Sequence, residues 1–270
     1  MKKIVVLLLV LTTMFITGCK NNNKDENMNI YFFNAGKADA ILLYNNDFSV
    51  LIDTGKKSFG DNIVNYLENN NIKKLDYLII THFDKDHVGG ASKVINGIDI
   101  DKIITSNYDK DSSAYDNFIE AVKEKHMGTT ILREDMTFKL GNVEFTINAP
   151  LKEEYDDKPS NNSSLIVSVI QKNNKFLFMG DAQDERIYEY LDNHSDSYDL
   201  LKVPYHGHYQ DSLDKLISVI KPKYSVITSS YDEMEDMETL DVLNKYGSKI
   251  YLTREGSVLF TSDGNNITVN

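Results

Sequence analysis

Thiol chemistry is almost missing from this chain. Of its 270 residues one is a cysteine, Cys19. No disulfide can form within the chain, and no thiolate is left in the folded body to ligate a metal. Cationic side chains are also scarce, with 29 Lys and Arg against 41 Asp and Glu and a formal net charge of −12. Such a balance repels polyanions over long range and argues against broad, sequence-independent nucleic-acid binding through a basic surface. It leaves room for a local site where metal ions supply the positive charge. The chain has no Gly-x-Ser-x-Gly elbow, so a serine nucleophile of that kind is not expected. No short-period repeat marks a solenoid. The apolar run from Ile4 to Ile16 is too short to span a bilayer comfortably. The chain, at a hydrophobic content of 41%, is sufficient for one α/β domain with a sizeable core.

The chemistry is concentrated in Thr81-His82-Phe83-Asp84-Lys85-Asp86-His87-Val88-Gly89-Gly90. The apolar run Tyr77-Leu78-Ile79-Ile80 before it reads as a buried strand, and helical spacing resumes after the glycines. The polar residues therefore sit in a loop leaving a strand end, where open α/β sheets bind ligands. Two imidazoles and two carboxylates within six positions are dense ligand chemistry. A solvated acidic turn has no need of both histidines. Asp86 and His87 are adjacent and cannot point the same way on a regular strand. A loop can splay them, with His82 and Asp84 turned to one ion and Asp86 and His87 to another.

The amino terminus reads as an address. Lys2 and Lys3 precede the apolar run, and Ile16-Thr17-Gly18-Cys19 resembles a bacterial lipobox. The resemblance implies a signal peptide over 1–18, cleavage before Cys19 and lipid on its sulfur. The expected location is extracytoplasmic, anchored to the membrane surface. Residues 19–29 are expected to form a disordered polar tether, with the folded domain running from 30 to 270.

Along that domain, strands are expected at 30–33, 40–43, 49–52, 77–80, 102–105, 129–132, 136–140, 143–148, 165–170, 176–179, 200–203, 224–227, 249–252, 257–260 and 267–269. Helical spacing marks Ile63-Val64-Leu67, Val94-Ile95, Phe118-Ile119-Val122, Ile187-Tyr190-Leu191, Leu213-Leu216-Ile217-Ile220 and 240–246. The stretch 151–162 reads as a loop. Two packed sheets with outer helices fit this order. Asp53, the 82–87 loop, Asp181 and His206 each follow an apolar strand and lie beside or within a few residues of a glycine. If the strands align, all four meet along one edge. His126 and His194 lie in polar stretches and are expected to face solvent.

These residues resemble the metallo-β-lactamase superfamily. His82-Phe83-Asp84-Lys85-Asp86-His87 is similar to its signature, Leu51-Ile52-Asp53-Thr54-Gly55 to its first motif, and Phe178-Met179-Gly180-Asp181 to the segment of the bridging aspartate. Val203-Pro204-Tyr205-His206-Gly207 resembles the last histidine motif. Within the superfamily the chain looks most like the hydrolase domain of ComEC-type DNA-uptake proteins, through Asn34-Ala35-Gly36-Lys37-Ala38-Asp39-Ala40 and the Asn-Ser-Leu likeness of 161–165.

The resemblance implies an αββα sandwich, an α/β (α+β) fold of two mixed sheets. It assigns one ion to His82, Asp84 and Asp181, and a second to Asp86, His87, Asp181 and His206. Asp53, Asn162 and Ser163 are expected behind the ligands, holding them by hydrogen bonds. Two departures matter. Asp84 stands where many members have His, and Asn161 to Ser164 stand where a further ligand His is usual. One or two divalent ions are expected, manganese or zinc first and magnesium or iron next, and the oxygen-rich first position moves preference there away from zinc.

The implied activity is metal-dependent hydrolysis of phosphodiester bonds, in DNA or a small phosphodiester, with metal-activated water. Asp86 or Asp181 would accept the water proton, and His208 would contact a phosphate or donate a proton. The alternative is a surface lipoprotein that binds metal or substrate at a degenerate, non-catalytic site. Hydrolysis of β-lactams or thioesters fits the oxygen-rich first position least. No obligate protein partner is evident in the sequence.

Overall fold

Period-two burial in the strands and apolar stripes on the helices sort this chain into four layers. The computed structural model describes residues 27–270. The signal region, Cys19 with its lipobox, and the tether up to residue 26 lie outside the described residues. The first half contributes β1 (Met28–Phe32), β2 (Ile41–Tyr44), β3 (Ser49–Ile52), α1 (Gly60–Asn69), β4 (Lys74–Ile80), α2 (Ala91–Gly97), β5 (Asp99–Thr105), α3 (Ser113–Glu124) and β6 (Thr129–Ile131). The second half contributes β7 (Met136–Leu140), β8 (Val143–Asn148), α4 (Pro159–Asn162), β9 (Ile166–Gln171), β10 (Asn174–Phe178), α5 (Asp184–Asn193), β11 (Leu200–Lys202), α6 (Leu213–Ile220), β12 (Tyr224–Ile227), α7 (Met237–Lys245) and β13 (Lys249–Leu252). Two last strands, β14 (Val258–Ser262) and β15 (Ile267–Val269), return to the first sheet.

The first sheet has the order β15-β14-β1-β2-β3-β4-β5-β6, and the second β13-β12-β11-β10-β9-β8-β7. Successive side chains of a strand face opposite sides, and the burial follows that rule. Met28, Ile30 and Phe32 enter the core between the sheets, while Tyr31 packs towards the helices on the other face. Phe176 and Phe178 of β10 face the same central core, and Leu177 faces the outer helices of the second sheet. Each fully buried Phe contributes about 1.5–3 kcal/mol over its exposed state. Helices α1, α2 and α3 cover the first sheet, and α5, α6 and α7 the second. The result is the αββα sandwich of two mixed sheets that the sequence led us to expect.

Local signals set several boundaries. Ser112 caps α3 by accepting from Tyr115 N at 3.2 Å, the usual role of an N-cap serine. Helix α6 stops at Lys221, in the left-handed region at φ 49°, just before Pro222, which cannot continue a helix. Strand β1 opens at Met28 rather than Ile30, because Met28 pairs with Ser262 of β14 and is fully buried. The expected loop at 151–162 contains the single turn α4, opened by Pro159 at its first position, a residue suited to that place.

Topology fixes where the site falls. Strands β3 to β6 run parallel in the first sheet, and β10 to β13 run parallel in the second. Asp53 follows β3, His82 follows β4, Asp181 follows β10 and His206 follows β11. The carboxyl ends of both parallel runs open on the same edge. The sheets are tied there by Leu165 N donating to Thr81 O at 2.9 Å. No helix among the described residues is long and apolar enough to cross a membrane.

Candidate metal centre

Three histidines converge at this edge, and each is held by its far nitrogen. His87 Nδ1 donates to Asp53 Oδ2 at 2.7 Å. His82 Nδ1 lies 3.1 Å from Thr81 Oγ1, and His206 Nδ1 lies 3.0 Å from both the carbonyl and the hydroxyl of Thr228. In all three rings these contacts place a proton on Nδ1 and turn Nε2 towards the cluster as the atom that would ligate a metal. Asp53 sits at φ 57°, an unfavourable backbone state for a branched or bulky residue but one that Asp tolerates. From there its carboxylate also accepts from Thr81 N at 2.8 Å and from Thr81 Oγ1 at 2.7 Å. Asp53 thus holds His87 and Thr81 from behind the cluster.

The Nε2 atoms of His87 and His206 face each other and two carboxylates. His87 Nε2 is 3.3 Å from His206 Nε2 and 3.3 Å from Asp181 Oδ1. His206 Nε2 is 3.3 Å from Asp181 Oδ2 and 3.6 Å from Asp86 Oδ2. Ligand bonds of about 2.0–2.2 Å put neighbouring ligand atoms about 3.0–3.4 Å apart in octahedral or tetrahedral arrays. The spacing therefore fits a divalent ion, and so do two orphans: His82 Nε2 and Asp181 Oδ1 are buried with no hydrogen-bond partner. Such atoms are costly unless a ligand satisfies them. His82, His87 and Asp181 form one group with ligating atoms within 4.8 Å of each other, and Asp86, His87 and His206 form another.

A third such group, Asp39, Asp53 and His87, is already satisfied by protein donors. Lys202 Nζ lies 2.5 Å from Asp39 Oδ2 and donates to Gly180 O at 2.8 Å. Thr228 Oγ1 donates to Asp39 Oδ1 at 2.6 Å, and Asp53 has the donors given above. Lys202 is fully buried. It shares the strand face of Leu200, which looks into the core between the sheets, and so reaches Asp39 across the interface. Its ammonium also lies 3.6 Å from Asp181 Oδ1.

The electrostatics agree with this geometry. Burial and the neighbouring His87 push the His82 pKa down to about 4, so it is a neutral donor at physiological pH. Burial opposes a charge on His87, but the carboxylates of Asp181 and Asp53 outweigh it and hold the ring well above its usual pKa. Burial would raise Asp181, yet His206 and His87 hold it well below the ordinary carboxylate range. Asp39 is lowered in the same way, burial being outweighed by Lys202.

Asp84 is placed differently from the other ligands. Its Oδ1 lies 3.8 Å from His82 Nε2, but the same oxygen takes short contacts from Lys110 Nζ and Ser160 Oγ. It joins none of the ligating groups among the described residues. Asn162 and Ser163, expected behind the ligands, are not there. Asn162 Oδ1 accepts from Gln183 N and Arg186 N at 3.1 and 3.2 Å and so holds the start of α5. Ser163 Oγ donates to Ser160 O at 2.7 Å. The α4 turn points both away, and the next residue, Ser164, takes the place. Its hydroxyl lies 3.4 Å from His82 Nδ1 and accepts from Asp181 N at 3.1 Å.

His208 contacts Asp236 at 3.5 Å and the Tyr205 ring at 5.1 Å, not a ligand atom. His126 is exposed, as expected. His194 is half-buried rather than fully solvent-facing: it stacks on Tyr190 at 4.2 Å and its Nδ1 bonds Tyr190 O at 2.9 Å. Asp39, Lys202, Thr81, Thr228 and Ser164 were not singled out from the sequence. A lysine in the otherwise apolar run Leu200 to Val203 was the available signal, since a buried lysine needs a partner.

The centre opens on a cleft of about 860 Å³. Asp84, Asp86 and Asp181 line its floor, and Lys37, Lys56, Lys57, Lys85 and Lys110 are in its wall together with Tyr205 and Glu233. Lys37 and Lys56 lie 3.8 and 3.6 Å from Glu233. Lys57 and Lys85 are exposed and make no ion pair among the described residues.

Comparison with known proteins places this architecture. The sequence profile of the metallo-beta-lactamase superfamily matches residues 34–229. The chain is 21% identical over 272 aligned positions to ComE operon protein 3 of Bacillus subtilis, covering 93% of this chain and 34% of that protein. It is 26% identical over 201 positions to Recombination protein 2 of Haemophilus influenzae, covering 72% of this chain and 23% of that protein. The chain thus spans about a third and about a quarter of these relatives. Among solved structures, the metallo-beta-lactamase fold protein YhfI from Bacillus subtilis superposes with a TM-score of 0.58 at 10% identity, covering 90% of this chain and 100% of that one. CmlA, a diiron beta-hydroxylase from Streptomyces venezuelae, superposes at 0.54 and 12% identity, over 84% of this chain and 53% of that one. At these identities the two structures speak for the fold alone.

Proposed function

The chain belongs to the metallo-β-lactamase superfamily and is ComEC-like within it, and from that premise we propose that it is a metal-dependent phosphodiester hydrolase. One observation carries the substrate class. In a chain of net charge −12, five lysines line the cleft onto which the ligand cluster opens. Ammonium groups beside a cation site suit a phosphodiester, whose charge must be gathered against an acidic surface. The relative named as a recombination protein makes DNA the first polymer to test.

When bound, a divalent ion supplies Lewis-acid chemistry and acidifies water. The chain supplies the rest. His87, His206, Asp86 and Asp181 hold the cation, and His82 offers a further neutral nitrogen. Asp86 lines the cleft and is only partly buried, so its carboxylate is the group placed to accept a proton from water in front of the substrate. Lys37, Lys56, Lys57 and Lys85 bind and orient non-bridging phosphate oxygens. Asp53, Thr81 and Thr228 keep the three imidazoles turned inwards.

The test is purified protein with manganese, zinc or magnesium, assayed on bis-p-nitrophenyl phosphate and on single- and double-stranded DNA. Turnover that disappears with chelator and with Asp181→Asn is expected, and no turnover with any metal overturns the reading. The absence of a histidine among 161–164, together with the engagement of Asp84 by Lys110, favours one competing reading, a metal- or substrate-binding surface protein. Stoichiometric metal without turnover on any phosphodiester would support it.

We further propose that lipid on Cys19 anchors this domain at the outer face of the membrane. Replacing Cys19 by Ser should release the protein from the membrane fraction and abolish labelling by fatty acid. Membrane retention without labelling would refute this.

A further inference from the structure

Two loops distant in sequence close on Asp84. The segment between β5 and α3 delivers Lys110, and α4 delivers Ser160. Both engage the same carboxylate oxygen, Oδ1, the oxygen that lies 3.8 Å from His82 Nε2. His82 itself is fully buried, and its Nε2 has no partner. The first half of the centre therefore consists of one neutral nitrogen, a share of Asp181, and a carboxylate already neutralised by a lysine. The other half has two imidazole nitrogens and two carboxylates, with no ammonium on Asp86 among the described residues.

We infer that Lys110 is a built-in competitor for the first metal position. With its ammonium on Asp84, the chain holds one tightly bound divalent ion, on Asp86, His87, Asp181 and His206, and takes a second only when Lys110 is withdrawn. The inference rests on the metal-dependent reading above. Its physical basis is charge and occupancy. A carboxylate oxygen that accepts from an ammonium and a hydroxyl has its lone pairs committed. A divalent ion bound between His82 and Asp84 would also face a unit positive charge at close range. Lysine suits the task because its head is a compact point charge on a flexible stem. Lys110 is partly exposed, at 30% for its side chain, so it can swing away without unfolding the loop.

The experiment counts ions, not turnover. Metal-free full-length protein, Lys110→Met, Lys110→Arg, Asp84→Asn and the double variant Lys110→Met/Asp84→Asn are titrated with manganese. Calorimetry and elemental analysis give stoichiometry, and electron paramagnetic resonance separates an isolated ion from an exchange-coupled pair. Circular dichroism checks that each variant is folded. Wild type and Lys110→Arg should saturate with one tight ion and the spectrum of an isolated centre. Lys110→Met should gain a second, coupled ion, bound roughly tenfold or more tighter than any second ion in wild type. Asp84→Asn should keep the tight ion and, combined with Lys110→Met, abolish the second. Two equally tight ions in wild type, one ion only in Lys110→Met, or loss of the tight ion in Asp84→Asn would each overturn the assignment of Lys110. No ion in any variant would also sink the metal-dependent reading, so the two failures are distinguishable.

Discussion

Removing the ammonium of Lys202 should be among the most damaging single changes in this domain. Lys202 is fully buried, bonded to Asp39 and to Gly180 O, and its ammonium acts on three buried carboxylates, Asp39, Asp181 and Asp53. In Lys202→Met the side chain keeps its length, but Asp39 is left buried with Thr228 as its remaining donor at 2.6 Å. Breaking a buried pair by deleting one partner costs about 3–5 kcal/mol. At about 2–4 °C per kcal/mol for a domain of this size, the melting temperature should fall by roughly 10 °C. Asp39 is held below its ordinary pKa by Lys202 despite its burial, and Lys202 is held above its own by Asp39 despite burial. The stabilisation from Asp39 is present above the carboxylate's ordinary value of 3.8 and is lost as pH falls through the lowered one. That from Lys202 is present below 10.5 and is lost as pH rises through the raised one. The cost of the variant should therefore be greatest between these two values. The assay is urea and thermal unfolding of metal-free protein, with Asp39→Asn/Lys202→Met measured alongside the single variant. That pair has no orphaned charge and should recover a large part of the loss. A loss under about 1 kcal/mol, or a double variant no more stable than the single, would refute the reasoning.

The other predictions concern the centre and its surroundings. Asp53→Asn should weaken metal affinity about 10–100-fold by releasing the His87 ring, with the fold retained; calorimetric titration checks it, and an unchanged affinity counts against the role given to Asp53. Because Asp181 and Asp53 keep metal-free His87 protonated beyond its usual range, metal binding should release a proton and strengthen as pH rises. Calorimetry in buffers of different ionisation enthalpy measures that proton, and a heat independent of buffer would exclude it. Asn162→Ala should cost about 1 kcal/mol through the lost cap on α5 and leave metal affinity unchanged, read from unfolding and from titration. In Gly89→Ala the new methyl carbon would come within 2.2 Å of Lys85 O. The 82–87 loop should shift and the tight ion be lost, and normal stoichiometry would argue against a rigid loop.

Much of the fold was legible because its strands announce themselves. Runs such as Leu51-Ile52 and Phe176-Leu177-Phe178 are buried on both faces and need no context to be read. The positions of His82, Asp86, His87, Asp181 and His206 followed from the same runs, since each lies just past one. What was not legible depends on partners remote in sequence. Asp39 reads as a turn residue until Lys202, far along the chain, is placed beside it. Which of Asn162, Ser163 and Ser164 faces His82 is decided by the path of α4 into β9, not by residue type. Asp84 has the chemistry of a ligand, and only the two loops that carry Lys110 and Ser160 reveal what it holds. His194 reads as polar and free, yet the ring of Tyr190 covers it.

Asp86, His87 and His82 hang from one sheet, and Asp181 and His206 from the other. A cation gripped by both is a rivet through a joint. At a concentration a thousandfold above its Kd it would add about 4 kcal/mol to the cohesion of the two layers. Neither half-chain alone carries the full set of donors, so an ion held by that full set would be captured only after the two halves have met.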